Sequence, residues 1–147
     1  MTGSPDHAAQ VDAYARAFAA LEPAGIAALM DLCSDDVIFR DPFNDTVGKD
    51  RMRAVFEDMF AHASTPRFEV LDRFGQGRRW ILKWRFTATV PVIGALDVTG
   101  LSELTLSDDG KVASHLDYWD TGPAIYGRVP VLGTLVNAVR RRLSASR

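Results

Sequence analysis

Trp80-Ile81-Leu82-Lys83-Trp84-Arg85-Phe86-Thr87-Ala88-Thr89 alternates apolar and mostly polar side chains over ten residues. A period of two sustained that long marks a strand with one buried face and one wet face. Trp80, Leu82, Trp84, Phe86 and Ala88 share the face that must be covered. Val98, Ser102, Leu104 and Leu106 continue the pattern in the next strand, Asp108-Asp109-Gly110 makes a hairpin turn, and Lys111 to Asp120 forms the last strand.

Upstream of Phe68 the period is that of a helix. Val11, Tyr14, Ala15, Phe18 and Leu21 recur at helical spacing until Pro23 ends the element. A second short helix buries Ile26, Leu29, Met30 and Cys33. Ser34-Asp35-Asp36 breaks it, and Val37 to Arg40 is a short strand running into Asp41-Pro42. Asn44 to Gly48 is expected as a loop. Lys49 to His62 is helical again, with Met52, Val55, Phe56, Met59 and Phe60 as its apolar stripe, and Ser64-Thr65-Pro66 stops it. Helices first and a meander of long strands after them predict an α+β fold. Beyond Gly122, Pro130 is expected to open a further helix with Val131, Leu132, Leu135, Val136, Val139 and Leu143 as its stripe. Arg140, Arg141 and Arg142 close it, where cations suit the helix dipole. Residues 1–147 therefore form one domain, and 123–147 its amphipathic tail.

Composition narrows the classes of function. The 147 residues are 47% hydrophobic and 24% charged, ordinary for one globular domain with a sizeable core. Seventeen basic residues against nineteen acidic ones supply no field for gripping a phosphate backbone, so nucleic acid is not expected as a partner. Cys33 is the single cysteine, which excludes an intrachain disulfide. The stretch Met1 to His7 is polar and lacks the apolar core of a secretory signal, and no apolar run reaches membrane-spanning length. A soluble cytoplasmic protein is expected.

Polar residues on faces that should be apolar carry the functional signal. On the last strand His115, Asp117 and Trp119 share one face, with His115 and Asp117 roughly 7 Å apart by strand geometry. On the first strand Val37, Phe39 and Asp41 share a face, and Tyr14 lies in the buried stripe of the first helix. If these faces look inward, a pocket holds two carboxylates, an imidazole and a phenol inside an aromatic shell. Burial raises a carboxylate toward the range useful for proton transfer near neutral pH, and a buried phenol can donate to a carbonyl oxygen that gains charge. That chemistry suits proton abstraction beside a carbonyl and needs neither metal nor cofactor. Each residue also has a plainer reading: Asp41 as the cap of a turn, Tyr14 as a core tyrosine, His115 and Asp117 as a structural pair, and Phe56, Met59, Trp84 and Phe86 as ordinary core.

The stretch His7 to Pro42, with Val11-Asp12-Ala13-Tyr14-Ala15-Arg16-Ala17-Phe18, Gly25-Ile26-Ala27-Ala28-Leu29, Asp35-Asp36-Val37 and Asp41-Pro42, resembles the N-terminal half of a ketosteroid isomerase. That enzyme belongs to the nuclear-transport-factor-2-like (NTF2-like) superfamily, together with the SnoaL-type polyketide cyclases. The likeness continues through Gly48 to Phe60 and the hairpin Gly110-Lys111-Val112. It implies a cone in which N-terminal helices pack on a curved antiparallel sheet around a pocket, here with an extra C-terminal helix. It further implies Asp41 as general base and Tyr14 as the phenol of an oxyanion hole. The family's protonated aspartic acid is replaced by Ser102. His115, Asp117 and Trp119 fall on the pocket-lining side, where an aspartic acid resembles the acid/base residue of the cyclases. The chain does not match the Arg/Asp pattern of the related epoxide hydrolases or the paired pocket histidines of the dehydratases.

These expectations define a cofactor-independent isomerase, cyclase or lyase for a small apolar carbonyl compound such as a steroid or polyketide. Asp41, Tyr14, Asp117 and His115 are its catalytic candidates. Phe43, Phe56, Met59, Trp84, Phe86, Ser102 and Trp119 are its candidate substrate contacts. The competing expectation is a binding protein that holds a hydrophobic ligand unchanged. Lys83, Arg85, Thr87, Glu103 and Thr105 point outward and suit a homodimer across the sheet. The tail either packs on the body, lidding the pocket, or rests weakly on an anionic membrane surface.

Overall fold

The structure is a computed structural model and describes residues 6–145; the rest of the Met1 to His7 stretch and the last two residues of the tail lie outside the described part. Helix α1 (Ala8–Ala19) leads through a turn to α2 (Ile26–Asp31), then strands β1 (Cys33–Arg40) and β2 (Asp45–Val47) and helix α3 (Lys49–His62). Three long strands follow: β3 (Ser64–Gln76), β4 (Arg79–Val90) and β5 (Gly94–Leu106). Strand β6 (Val112–Tyr118), the short α4 (Thr121–Ala124), a turn at Tyr126–Arg128 and α5 (Leu132–Leu143) complete the chain. The strands form one sheet in the order β2-β1-β6-β5-β4-β3, antiparallel throughout except where β1 runs parallel to β6. This is the expected α+β architecture.

The alternation predicted from residues 80–89 governs the packing. Trp80, Leu82, Trp84 and Ala88 of β4, with Leu96, Leu104 and Leu106 of β5, are buried on the inner face. Val11, Tyr14 and Phe18 of α1 and Met52 and Phe56 of α3 cover them. Gly100 is required by this packing. It pairs with Trp84 across the β4–β5 ladder, and a Cβ there would lie 2.5 Å from the indole. The missing side chain leaves room for the Trp84 ring beside β5, where its N–H reaches Ser102.

Several local expectations change. Cys33 lies in β1 rather than α2, and Ser34-Asp35-Asp36 belongs to that strand. The polar triplet spans the irregular register between Cys33 and Ile38, while the β6 edge supplies partners, as in Cys33 opposite Val112. Pairing with β6 on either side of the triplet, and the Ser34 hydroxyl donating to the Val112 carbonyl at 3.3 Å, outweigh its local preference. Asn44 to Gly48 is not all loop, because Asp45–Val47 pairs with Ile38–Arg40 as β2, too short to leave a period. Ser64-Thr65-Pro66 ends α3 and also opens β3, where an edge strand tolerates proline.

Helix α5 starts two residues after Pro130, because Val131 adopts a left-handed φ of 69°. It leans on the Tyr126–Arg128 turn through Asn137, whose amide donates to the Gly127 carbonyl at 3.0 Å, and through Gly133, where a Cβ would meet that carbonyl oxygen at 2.5 Å. Its apolar stripe is exposed, and no α5 residue lines the pocket. The expectation that the stripe covers the body or lids the pocket does not hold. Among the described residues, no helix is long and apolar enough to cross a membrane.

Candidate functional site

Between α3, the inner face of the sheet and the start of the tail lies a cavity of about 420 Å³. Its wall is mostly apolar: Phe56 and Met59 from α3, Phe68 from β3, Trp84 and Phe86 from β4, Leu96 and Val98 from β5, and Trp119 and Ile125 after β6. Volume and lining suit a small hydrophobic molecule. Phe43, more than half exposed, meets Trp119 edge-on at 5.8 Å and forms part of the rim.

Asp117 is the inner carboxylate of this wall. Its side chain is 11% exposed and it holds a chain of hydrogen bonds running back into the core. Ser102 sits opposite it on β5 and donates to Asp117 Oδ1 at 2.5 Å. The Trp84 indole N–H donates to Ser102 Oγ at 2.8 Å. His115, two residues before Asp117 on the same face, places Nε2 2.7 Å from the same Oδ1. Tyr14 OH lies 2.7 Å from His115 Nδ1. With the imidazole proton on Nε2, every donor points one way, from Trp84 through Ser102 and from Tyr14 through His115, and both arms end on Asp117 Oδ1. Among the described residues no hydrogen-bond donor is placed on Oδ2.

Burial makes the arrangement rigid. Tyr14, Ser102 and His115 are fully enclosed, and the imidazole is packed among Tyr14, Phe18 and Phe39 with ring centroids 5.0 to 5.8 Å apart. A closed network in low dielectric is costly to leave half-made, so it holds one geometry.

Asp41 stands differently. It lines the cavity near its rim, but Oδ1 accepts from the backbone N–H of Phe43 at 2.8 Å and of Asn44 at 2.7 Å. The Asn44 side-chain amide adds bonds to both oxygens at 3.1 Å. The carboxylate caps the turn between β1 and β2. Tyr14, His115 and Asp117 are brought together as one unit, while Asp41 stays at the mouth.

Of the expected substrate contacts, Phe43, Phe56, Met59, Trp84, Phe86 and Trp119 line the cavity. Ser102 does not, because its hydroxyl is turned between Trp84 and Asp117. Tyr14 likewise does not reach the cavity, since its hydroxyl is spent on His115. Sequence reasoning missed Phe68, Leu96 and Ile125 as wall residues, together with His62 and Asp58 at the mouth. For Phe68 and Leu96 a signal existed, because each lies on the inward parity of its strand. Among the described residues, no group of three His, Cys, Asp or Glu side chains is gathered to hold a metal ion.

Residues 11–115 match the family model of the SnoaL-like domain. The chain belongs to the SnoaL-like domain family. Solved structures share its fold. A candidate polyketide cyclase from Pseudomonas putida KT2440 is 20% identical, with a TM-score of 0.67 over 85% of this chain and 98% of its own. A protein of ketosteroid isomerase-like fold from Catenulispora acidiphila, in complex with trimethylamine, is 13% identical, with a TM-score of 0.68 over 82% of this chain and 93% of its own. An LEH-like epoxide hydrolase of M. tuberculosis is 14% identical, with a TM-score of 0.65 over 90% of this chain and 96% of its own. Curated proteins show no match to the chain. At these identities the likeness establishes the NTF2-like fold.

In this SnoaL-like domain two buried groups titrate late. Burial pushes the Tyr14 phenol well above its ordinary 10.0, with neighbouring Cys33 and Asp117 adding to the rise. Burial also pushes the Cys33 thiol from 9.0 to about 11. Both folded-state values are raised, so the unfolded chain loses these protons first and stability falls as pH rises. The loss for Cys33 runs from pH 9 to about 11 at about 1.4 kcal/mol per pH unit. Cys33→Ala should flatten urea-derived stability against pH across that window, apart from a constant offset. An unchanged slope would show that the thiol ionises as freely folded as unfolded.

Proposed function

We propose that this SnoaL-like domain is a cofactor-independent acid/base enzyme, an isomerase, cyclase or lyase for a small apolar carbonyl compound such as a steroid or polyketide. The observation that carries the proposal is one carboxylate, Asp117, set in the wall of an apolar cavity with one oxygen held by two donors and none placed on the other among the described residues. Asp117 Oδ2 takes a proton from the carbon beside the carbonyl. The C–H electron pair moves into a new C=C bond, and the carbonyl oxygen takes the charge as an enolate. Returning the proton to a different carbon completes an isomerisation; attack of the enolate carbon on a second carbonyl closes a ring. Tyr14 and His115 act as positioning residues that fix the rotamer of Asp117, and Asp41 shapes the mouth.

The test is incorporation of solvent deuterium beside the carbonyl of a panel of cyclic ketones, followed by NMR. Exchange above the buffer rate with at least one ketone is expected. If every ketone exchanges only at the buffer rate, the enzyme reading fails.

A second reading, a carrier of an apolar ligand, is favoured by one observation. The Tyr14 and Ser102 hydroxyls are both consumed within the network, so neither faces the cavity to hold an enolate oxygen. Native mass spectrometry of freshly purified protein separates the two, because a carrier retains unreacted ligand.

The protein is further placed by this proposal in the cytoplasm, where a lone thiol such as Cys33 stays reduced, and works as a homodimer across the outer face of the sheet. That face presents the cross-strand pair Leu101 and Tyr118, both exposed, beside the ion pair of Arg85 and Asp97 at 2.6 Å. Light scattering should then return twice the chain mass of 16.2 kDa; a monomeric mass would remove the dimer and leave the pocket chemistry untouched.

A further inference from the structure

Charge in this chain is divided by position. All nineteen acidic residues lie in 1–120, against twelve of the seventeen basic ones. From Thr121 onward there are five arginines and no acid. An acidic body therefore carries a basic tail, an asymmetry that the overall net charge of −2 conceals.

The same tail exposes the apolar side of α5. Leu132, Leu135, Val139 and Leu143 are exposed, Leu143 by 81%. At about 100° per residue these positions, with Val136, form one stripe. The side of the helix that meets the protein is a different one, marked by Gly133 and Asn137. Arg140 and Arg142 then fall roughly 80° to either side of the stripe, and Arg141 opposite it. An apolar stripe flanked by cations suits a helix lying in the plane of a lipid–water interface, with arginines reaching up to headgroup phosphates.

We propose that α5 docks this protein on an anionic lipid bilayer surface. Charge complementarity selects this occupant. The stripe has arginines on both sides and no carboxylate within the tail. Pairing two such helices from separate copies would set like charges together, whereas anionic headgroups neutralise them. The acidic body is repelled by the same surface, so contact is confined to the tail. Ile125, seven residues before the helix, is part of the cavity wall, so docking also brings the cavity near the place where apolar compounds dissolve. The contact is independent of whether the cavity is catalytic.

The test is flotation of the full chain with vesicles of phosphatidylcholine alone and of phosphatidylcholine with phosphatidylglycerol. Binding is expected only with the anionic vesicles, and it should weaken as salt is raised. The variant Arg140→Gln/Arg142→Gln should bind roughly twenty-five-fold more weakly, from about fivefold for each of the two arginines that flank the stripe. Leu135→Asp/Val139→Asp should abolish binding, while both variants keep the wild-type circular dichroism spectrum. Failure to float with either vesicle overturns the proposal. So does a dimer in solution that Leu135→Asp/Val139→Asp converts to monomer, which would make a second copy the occupant.

Discussion

Asp117→Asn is expected to lower the rate of deuterium exchange into a substrate ketone by about 10² to 10⁴, the range that one positioned acid/base group contributes. The substitution is mild for the fold. An asparagine carbonyl oxygen can still accept from Ser102 and His115 in place of Oδ1, so the cavity keeps its shape while losing its base. Asp41→Asn should stay close to wild type, because that carboxylate is engaged by the backbone N–H groups of Phe43 and Asn44. The paired measurement separates the two carboxylates directly. Equal losses in both variants, or a larger loss in Asp41→Asn, would move the chemistry to the mouth and refute Asp117 as base.

Phe18→Ala should produce the largest loss of stability, about 3–5 kcal/mol, from lost burial and the cavity left behind. Phe18 is 1% exposed and sits where α1 meets the sheet. Its ring centroid lies 4.3 Å from Phe68, 6.0 Å from Phe56 and 5.5 Å from His115. These rings come from α3, β3 and β6, so none can move in alone to fill the gap. For a domain of this size the midpoint of thermal melting should fall by on the order of 10 °C. Phe43→Ala is the control. It removes the same side chain from a position 55% exposed and should cost only about 0.5 kcal/mol. Similar losses for the two would mean that the aromatic cluster is not the core that orders the site.

The parts legible in the sequence were those written in long, regular patterns. The helix expected over Lys49 to His62 is α3 to the residue, and the alternation from Trp80 is β4. The parity that put His115, Asp117 and Trp119 on one inward face also held. Short or exchanged pairings were not legible. Asp45–Val47 spans three residues, too few for a period, and Ser34-Asp35-Asp36 has the composition of a breaker yet lies along the edge of β6. The roles of polar residues were less legible still. Ser102 and Tyr14 were expected to face a substrate, and both instead turn inward to support another side chain.

Local order therefore determined which segments are helix, which are strand and which face of each is buried, because those follow from side-chain spacing along one element. Where each polar group sends its hydrogen bond was decided only by the tertiary structure. Trp84, Ser102, Asp117, His115 and Tyr14 belong to four different elements, and their donors and acceptors meet only after the sheet has closed its register and α1 has packed across it. A hydrogen bond demands a separation near 2.8 Å and a direction, and spacing along a chain cannot specify either between residues a hundred positions apart.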